Sequence, residues 1–109
     1  DSGQYDDTLL VITADHGEML GDRHSWGKMT VYDAAYHTPL MIRLPGNEAV
    51  AGSKITVPTE SVDVTPTILD WIGQAAPNAM DGRSLLPLVR GNIPDDRRDY
   101  SFSGLDFSE

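Results

Sequence analysis

Four apolar residues in succession, Leu9-Leu10-Val11-Ile12, constrain the fold more than any other feature of this chain. They do not alternate with polar residues. The strand they predict is therefore one buried on both faces, as in a sheet covered by helices on each side. A polar burst, Asp15-His16-Gly17-Glu18, follows at the carboxyl end of that strand. Open α/β sheets bind ligands beyond the carboxyl ends of their strands. A carboxylate and an imidazole thus stand where a site is expected. Pro39-Leu40-Met41-Ile42-Arg43-Leu44-Pro45 predicts a second short buried strand, with Pro39 at its first position and a turn at Pro45-Gly46-Asn47.

Between these strands, Glu18 to Gly27 reads as a loop, and Thr30 to Tyr36 predicts about two turns of helix stopped before Pro39. Ile55-Thr56-Val57 alternates and predicts an edge strand ended by Pro58. The best helix runs from Ser61 to Ile72. Ser61 or Thr65 can cap it, Pro66 suits its first turn, and Gly73 its stop. Ile68, Leu69 and Ile72 form its apolar face, and Trp71 is expected in the core. Asp81 to Leu88 reads as a turn followed by an apolar anchor. Asp95 to Asp99 reads as a charged linker, and Tyr100 to Ser103 as the start of a strand.

Charge and composition remove several function classes. With 17 acidic against 8 basic side chains the net charge is −9, and the pI is near 4.5. There is no basic footprint for nucleic acid and none for an anionic membrane surface. No apolar run reaches the ~18 residues needed to span a bilayer. Cysteine is absent, which excludes disulfides, thiolate zinc sites and a cysteine nucleophile within these residues. It leaves the compartment open. Strand-like segments near both ends suggest a fragment, completed by the rest of a parent domain or by further copies in a homo-oligomer.

Six residues could carry chemistry, and each has two readings. Asp15 and His16 offer one oxygen and one nitrogen donor, a mixture that suits Ca²⁺, Mn²⁺ or Zn²⁺. The alternative is that Asp15 caps a turn and His16 packs under a loop. Lys28, just after Gly27, is either a surface lysine or a charge aimed at a tetrahedral oxyanion. His24 either meets an oxyanion or protonates a leaving group, or is a solvated loop residue. Glu18 either orients His16 or is simply exposed. Trp26 either lines a pocket or packs in the core.

The ordered set of segments resembles the sulfatase family of the alkaline phosphatase superfamily. It begins with Gly3-Gln4-Tyr5-Asp6-Asp7-Thr8-Leu9 and Thr13-Ala14-Asp15-His16-Gly17-Glu18-Met19-Leu20-Gly21-Asp22. Gly27-Lys28, Pro39 to Arg43 and Pro45-Gly46 continue it. Val62-Asp63-Val64-Thr65-Pro66-Thr67-Ile68-Leu69-Asp70 and Asp81 to Leu88 complete it. The resemblance implies an α/β fold: the C-terminal part of an alkaline-phosphatase-like, mostly parallel sheet flanked by helices, running into a small C-terminal subdomain. Residues 1–91 would belong to the catalytic domain and 92–109 to a linker and the start of that subdomain.

The resemblance also implies roles. Asp15 and His16 would ligate a divalent cation, Ca²⁺ or Mn²⁺. Lys28 would contact the transferred group. His24 matches less closely, because Arg23 stands where many relatives have histidine. The Asp-His form and Asp70-Trp71-Ile72-Gly73 resemble the bacterial branch that includes phosphonate monoester hydrolases. The expected activity of the parent is hydrolysis of a small-molecule sulfuric ester, with a formylglycine nucleophile from a Cys/Ser-x-Pro-x-Arg motif upstream. That motif is missing here, so the fragment alone is expected to be inactive. The alternatives are a phosphonate monoester or phosphodiester hydrolase and a non-catalytic structural remnant.

Overall fold

The computed structural model describes residues 2–46 and 52–104. Asn47, the last residue of the expected turn, lies outside them. Among the described residues, two strands and three short helices make up the regular structure, joined by 3₁₀ turns. Strand β1 covers Leu10–Thr13 and β2 covers Leu40–Arg43, and the two pair in a two-stranded sheet. Helix α1 is Asp33–Tyr36, α2 is Val64–Trp71 and α3 is Leu86–Val89. Among the described residues no helix is long and apolar enough to cross a membrane.

Both expected strands form, yet neither is buried on both faces. Leu10 is 38% and Ile12 47% exposed. A sheet of two strands gives its side chains few lateral neighbours, and such pairs are marginal without further strands or covering helices. Ile55 to Val57 and Tyr100 to Ser103 are not strands. Each would leave its backbone groups unpaired without a partner ladder. Thr30 to Tyr36 gives a single turn, α1, rather than two.

The chain divides into two compact units, one from the described residues of 1–11 and 42–101, the other from those of 12–41 and 102–109. The first has a core of Leu44, Leu86 and Val89, against which Leu9, Ile42 and Trp71 pack. Helix α3 is the expected apolar anchor. Helix α2 ends as its sequence predicts. Gly73 has φ +74°, its N–H donates to the Asp70 carbonyl at 3.0 Å, and the Gln74 N–H donates to that of Leu69 at 2.8 Å. This is the Schellman arrangement, which satisfies the last carbonyls of a helix.

The start of α2 departs from expectation. Neither Ser61 nor Thr65 caps it. A 3₁₀ turn over Ser61–Asp63 leads into it, with a reciprocal capping box between Glu60 and Asp63. Asp63 is fully buried. Its two oxygens accept the Glu60 N–H at 2.8 Å, the Arg83 N–H at 2.9 Å and both Arg98 guanidinium nitrogens at 2.6 and 3.1 Å. Burial alone would raise its pKa. The Arg98 hydrogen bonds and the two backbone donors outweigh that and hold the carboxyl below its ordinary value. The buried Thr67 hydroxyl donates to the Asp63 carbonyl at 2.6 Å and accepts the Leu85 N–H at 2.9 Å. Together Asp63 and Thr67 tie the chain entering α3 to α2.

In the second unit Met19 and Ala35 are the buried apolar residues. Helix α1 is joined to the segment after β1 through the Gly17 N–H, which donates to the Ala35 carbonyl at 2.7 Å.

Candidate active-site loop

Strand β1 delivers Asp15 and His16 just beyond its carboxyl end, as the sequence predicts. The Asp15 side chain is exposed and that of His16 is partly exposed, with Asp15 Oδ2 and His16 Nε2 3.6 Å apart. Asp15 Oδ1 accepts the His16 N–H at 3.0 Å. On the far side of the ring, His16 Nδ1 lies 2.7 Å from the Gly17 carbonyl oxygen. A peptide carbonyl can only accept, so Nδ1 is the donor in this contact, and Nε2 is the nitrogen turned toward Asp15.

These donors fit a divalent cation. Two ligands each about 2.1–2.4 Å from a common ion, at about 90–110°, lie about 3.0–3.9 Å apart. The Oδ2–Nε2 separation falls in that range. Two donors are not a complete site, and the described residues contain no group of three or more His, Cys, Asp or Glu able to hold a metal.

After Glu18 the chain makes a closed loop. The Met19 N–H donates to the Gly27 carbonyl at 3.0 Å, and the Gly21 N–H to that of Ser25 at 2.9 Å. The Gly27 N–H donates to Glu18 Oε1 at 2.5 Å. Glu18 therefore braces the loop, whereas both sequence readings placed it elsewhere, on His16 or free in solvent. Three non-glycine residues, Leu20, Arg23 and His24, have positive φ of 47°, 52° and 61°. Such conformations cost about 1–3 kcal/mol each and persist where surrounding contacts impose them. Here the cross-loop hydrogen bonds do so.

His24 sits exposed at the loop's tip. Arg23 does not face a carboxylate; its guanidinium lies 4.3 Å from the centroid of the Tyr32 ring, a cation–π contact. Trp26 is 77% exposed, so the core-packing reading fails; the indole lies beside Gly21. Lys28 follows Gly27, whose φ is +81°, and its side chain is exposed. The structure thus brings Asp15 and His16 together and pins the chain just before Lys28 back to Glu18 and Met19. It records no contact of His24 or Lys28 with the Asp15–His16 pair.

The sequence reading missed the Asp63–Arg98 pair. It assigned Arg98 to a charged linker, although Arg98 also lies 3.3 Å from Glu60. The Glu60-x-x-Asp63 spacing is a capping signal that could have pointed to Asp63. No local signal identifies Arg98, which is 35 residues away.

Comparison with known proteins bears on all of this geometry. A family model described as Sulfatase matches residues 1–74. The multifunctional alkaline phosphatase superfamily protein PehA of Trinickia caryophylli is 43% identical over 109 residues, covering 100% of this chain and 21% of its own. The choline-sulfatase of Rhizobium meliloti is 42% identical over 89 residues, covering 79% of this chain and 17% of its own. Among solved structures, the phosphonate monoester hydrolase SpPMH from Silicibacter pomeroyi superposes with a TM-score of 0.92 at 70% identity. That match covers 98% of this chain and 21% of the hydrolase. The chain therefore spans about a fifth of the length of these proteins.

Proposed function

We propose, from the premise that this chain belongs to the sulfatase family, that it supplies part of the metal site and the oxyanion contact of a sulfuric ester hydrolase. The observation that carries this reading is the Asp15–His16 pair. Its oxygen and nitrogen lie 3.6 Å apart at a strand's carboxyl end, and the Gly17 carbonyl engages Nδ1, so that Nε2 is the nitrogen presented toward Asp15.

Asp15 and His16 would hold a divalent cation, Ca²⁺ or Mn²⁺, which as a Lewis acid polarises an oxygen of the sulfate group. Each residue of the chain then has a task. Asp15 contributes a full negative charge to the site. His16 contributes a neutral nitrogen, oriented by its own neighbouring peptide. Lys28 places a mobile ammonium on the transferred group as charge builds on its oxygens. Lysine suits that task because its compact charge contacts a tetrahedral oxyanion without demanding a planar partner. His24 is available to protonate the leaving oxygen. The nucleophile would come from other parts of the protein, so the 109 residues alone would not turn over substrate.

Phosphonate monoesters are the second substrate class, favoured by the resemblance to SpPMH. The test is to assay the intact protein on an aryl sulfate and an aryl phosphonate monoester, as wild type and as the Asp15→Ala and His16→Ala variants, with bound metal measured in each. Loss of metal together with loss of hydrolysis in both variants is expected, and the wild-type rates rank the two substrate classes. Wild-type metal content and turnover in the variants would overturn the reading.

A further inference from the structure

Two glycines occupy places where no side chain fits. A methyl carbon on Gly17 would lie 1.9 Å from the Ala34 carbonyl oxygen and 2.9 Å from the carbon bonded to it. On Gly82 it would lie 2.1 Å from the Val62 carbonyl oxygen and 2.6 Å from that carbonyl's carbon. Both obstacles are backbone, so neither can swing aside as a flexible side chain would. Gly82 is far along the chain from Asp15 and His16, ahead of α3. Gly17 is bonded to His16 itself.

Gly17 is held from two directions. Its N–H donates to the Ala35 carbonyl of α1 at 2.7 Å, and its own carbonyl accepts from His16 Nδ1 at 2.7 Å. Close approach to α1 therefore fixes the position of the oxygen that selects the imidazole tautomer. From this chain of contacts we infer that Gly17 is a positioning residue. Through it, α1 holds the His16 ring with Nδ1 on the Gly17 carbonyl and Nε2 facing the Asp15 carboxylate. The inference rests on the reading of Asp15 and His16 as metal ligands and names what keeps one of them competent.

A side chain at this position would force the Gly17 peptide away from α1 by more than 1 Å, since real Cβ contacts closer than about 3.0 Å essentially do not occur. The carbonyl would then leave Nδ1. The imidazole could take the other tautomer, in which Nε2 bears a proton and has no lone pair for a metal. Loss of the outer partner of a metal-ligating histidine typically costs 10–100-fold in metal affinity.

The experiment compares Mn²⁺ binding by calorimetry in the intact protein as wild type, Gly17→Ala, Gly82→Ala and His16→Ala, with denaturant unfolding of each. Both glycine variants are expected to lose stability. Only Gly17→Ala, of those two, should weaken Mn²⁺ binding, by about 10–100-fold, while Gly82→Ala keeps the wild-type Kd. In parallel, ¹⁵N spectra of the metal-free wild type should show His16 protonated at Nδ1. This second measurement decides the matter if Gly17→Ala does not fold. A wild-type Kd in Gly17→Ala, or an Nδ1 without a proton in the wild type, overturns the positioning role alone when His16→Ala has lost Mn²⁺. A His16→Ala variant that binds Mn²⁺ like the wild type overturns the ligand reading and this inference with it.

Discussion

Asp63 and Asp15 are the same side chain put to opposite uses. Asp63 is fully buried, and its oxygens accept four hydrogen bonds, from two backbone donors and the two ends of one guanidinium. Asp15 stands in solvent, and among the described residues its oxygens meet the neighbouring residue, through the His16 N–H and Nε2. The first carboxylate has its bonding capacity filled by the chain, so its work is done when the chain folds. The second has capacity left over at a strand's carboxyl end. Unfilled capacity, not residue type, is what separates a candidate ligand from a structural acid.

That contrast can be broken in order of effect. Asp63→Ala should be the most damaging change, because it leaves the half-buried Arg98 cation facing only Glu60. Breaking a buried pair in this way costs about 3–5 kcal/mol, read as a lower denaturation midpoint of the intact protein, with activity per folded molecule retained. Lys28→Ala should do the reverse. An exposed lysine contributes little to folding, whereas removal of one charge-stabilising donor typically lowers turnover by about 10²–10³. Steady-state kcat/KM and the unfolding midpoint, measured on the same variant, separate the two effects. A drop in stability as large as the drop in activity would return Lys28 to a structural role.

Gly73→Ala should cost about 1–2 kcal/mol, the strain of a Cβ in the left-handed region, again with unchanged kinetics per folded molecule. A pH titration sharpens the picture further. The carboxyl of Asp63 is held below its ordinary value of 3.8. The stability it confers is therefore fully present above about pH 4 and is lost as pH falls through the lower, folded value. Unfolding free energy should decline more steeply in that acid range for the wild type than for Asp63→Asn. Parallel pH profiles would mean that Asp63 and Arg98 are not coupled in solution. Arg97→Ala should do least. Its exposed pair with Asp99 spans 3.9 Å, and such pairs contribute about 0–1 kcal/mol, within the error of most denaturation curves.

Local signals in the sequence were read where the physics is local. The run Leu9 to Ile12, the Pro39 boundary, the Gly73 stop and the apolar anchor within Asp81 to Leu88 all depend on near neighbours, and each appears in the structure. Burial of the two strands depends on neighbours that no local pattern supplies, and the sheet has only two strands. Ile55 to Val57 alternates correctly yet forms no ladder, since alternation describes a surface and not a partner. The cap of α2 was misassigned because serine and threonine are the usual caps, whereas Glu60 and Asp63 exchange that role across three residues. In the candidate site, the positions of Asp15 and His16 were legible from the strand end. The Gly17 carbonyl that orients His16 was not, because a backbone acceptor leaves no mark on residue identity.

The hydrogen bonds closing the loop between Met19 and Gly27 have a consequence for how this segment can diverge. Both ends are fixed by main-chain groups and by one glutamate, so Lys28 emerges from the same point whatever lies between. The exposed side chains of the intervening tip, such as Trp26, can change in sequence while this frame stays closed. Descendants of such a chain could remodel what the tip recognises and leave the charge behind it undisturbed. Selection would then act on the tip and on Lys28 as separate traits.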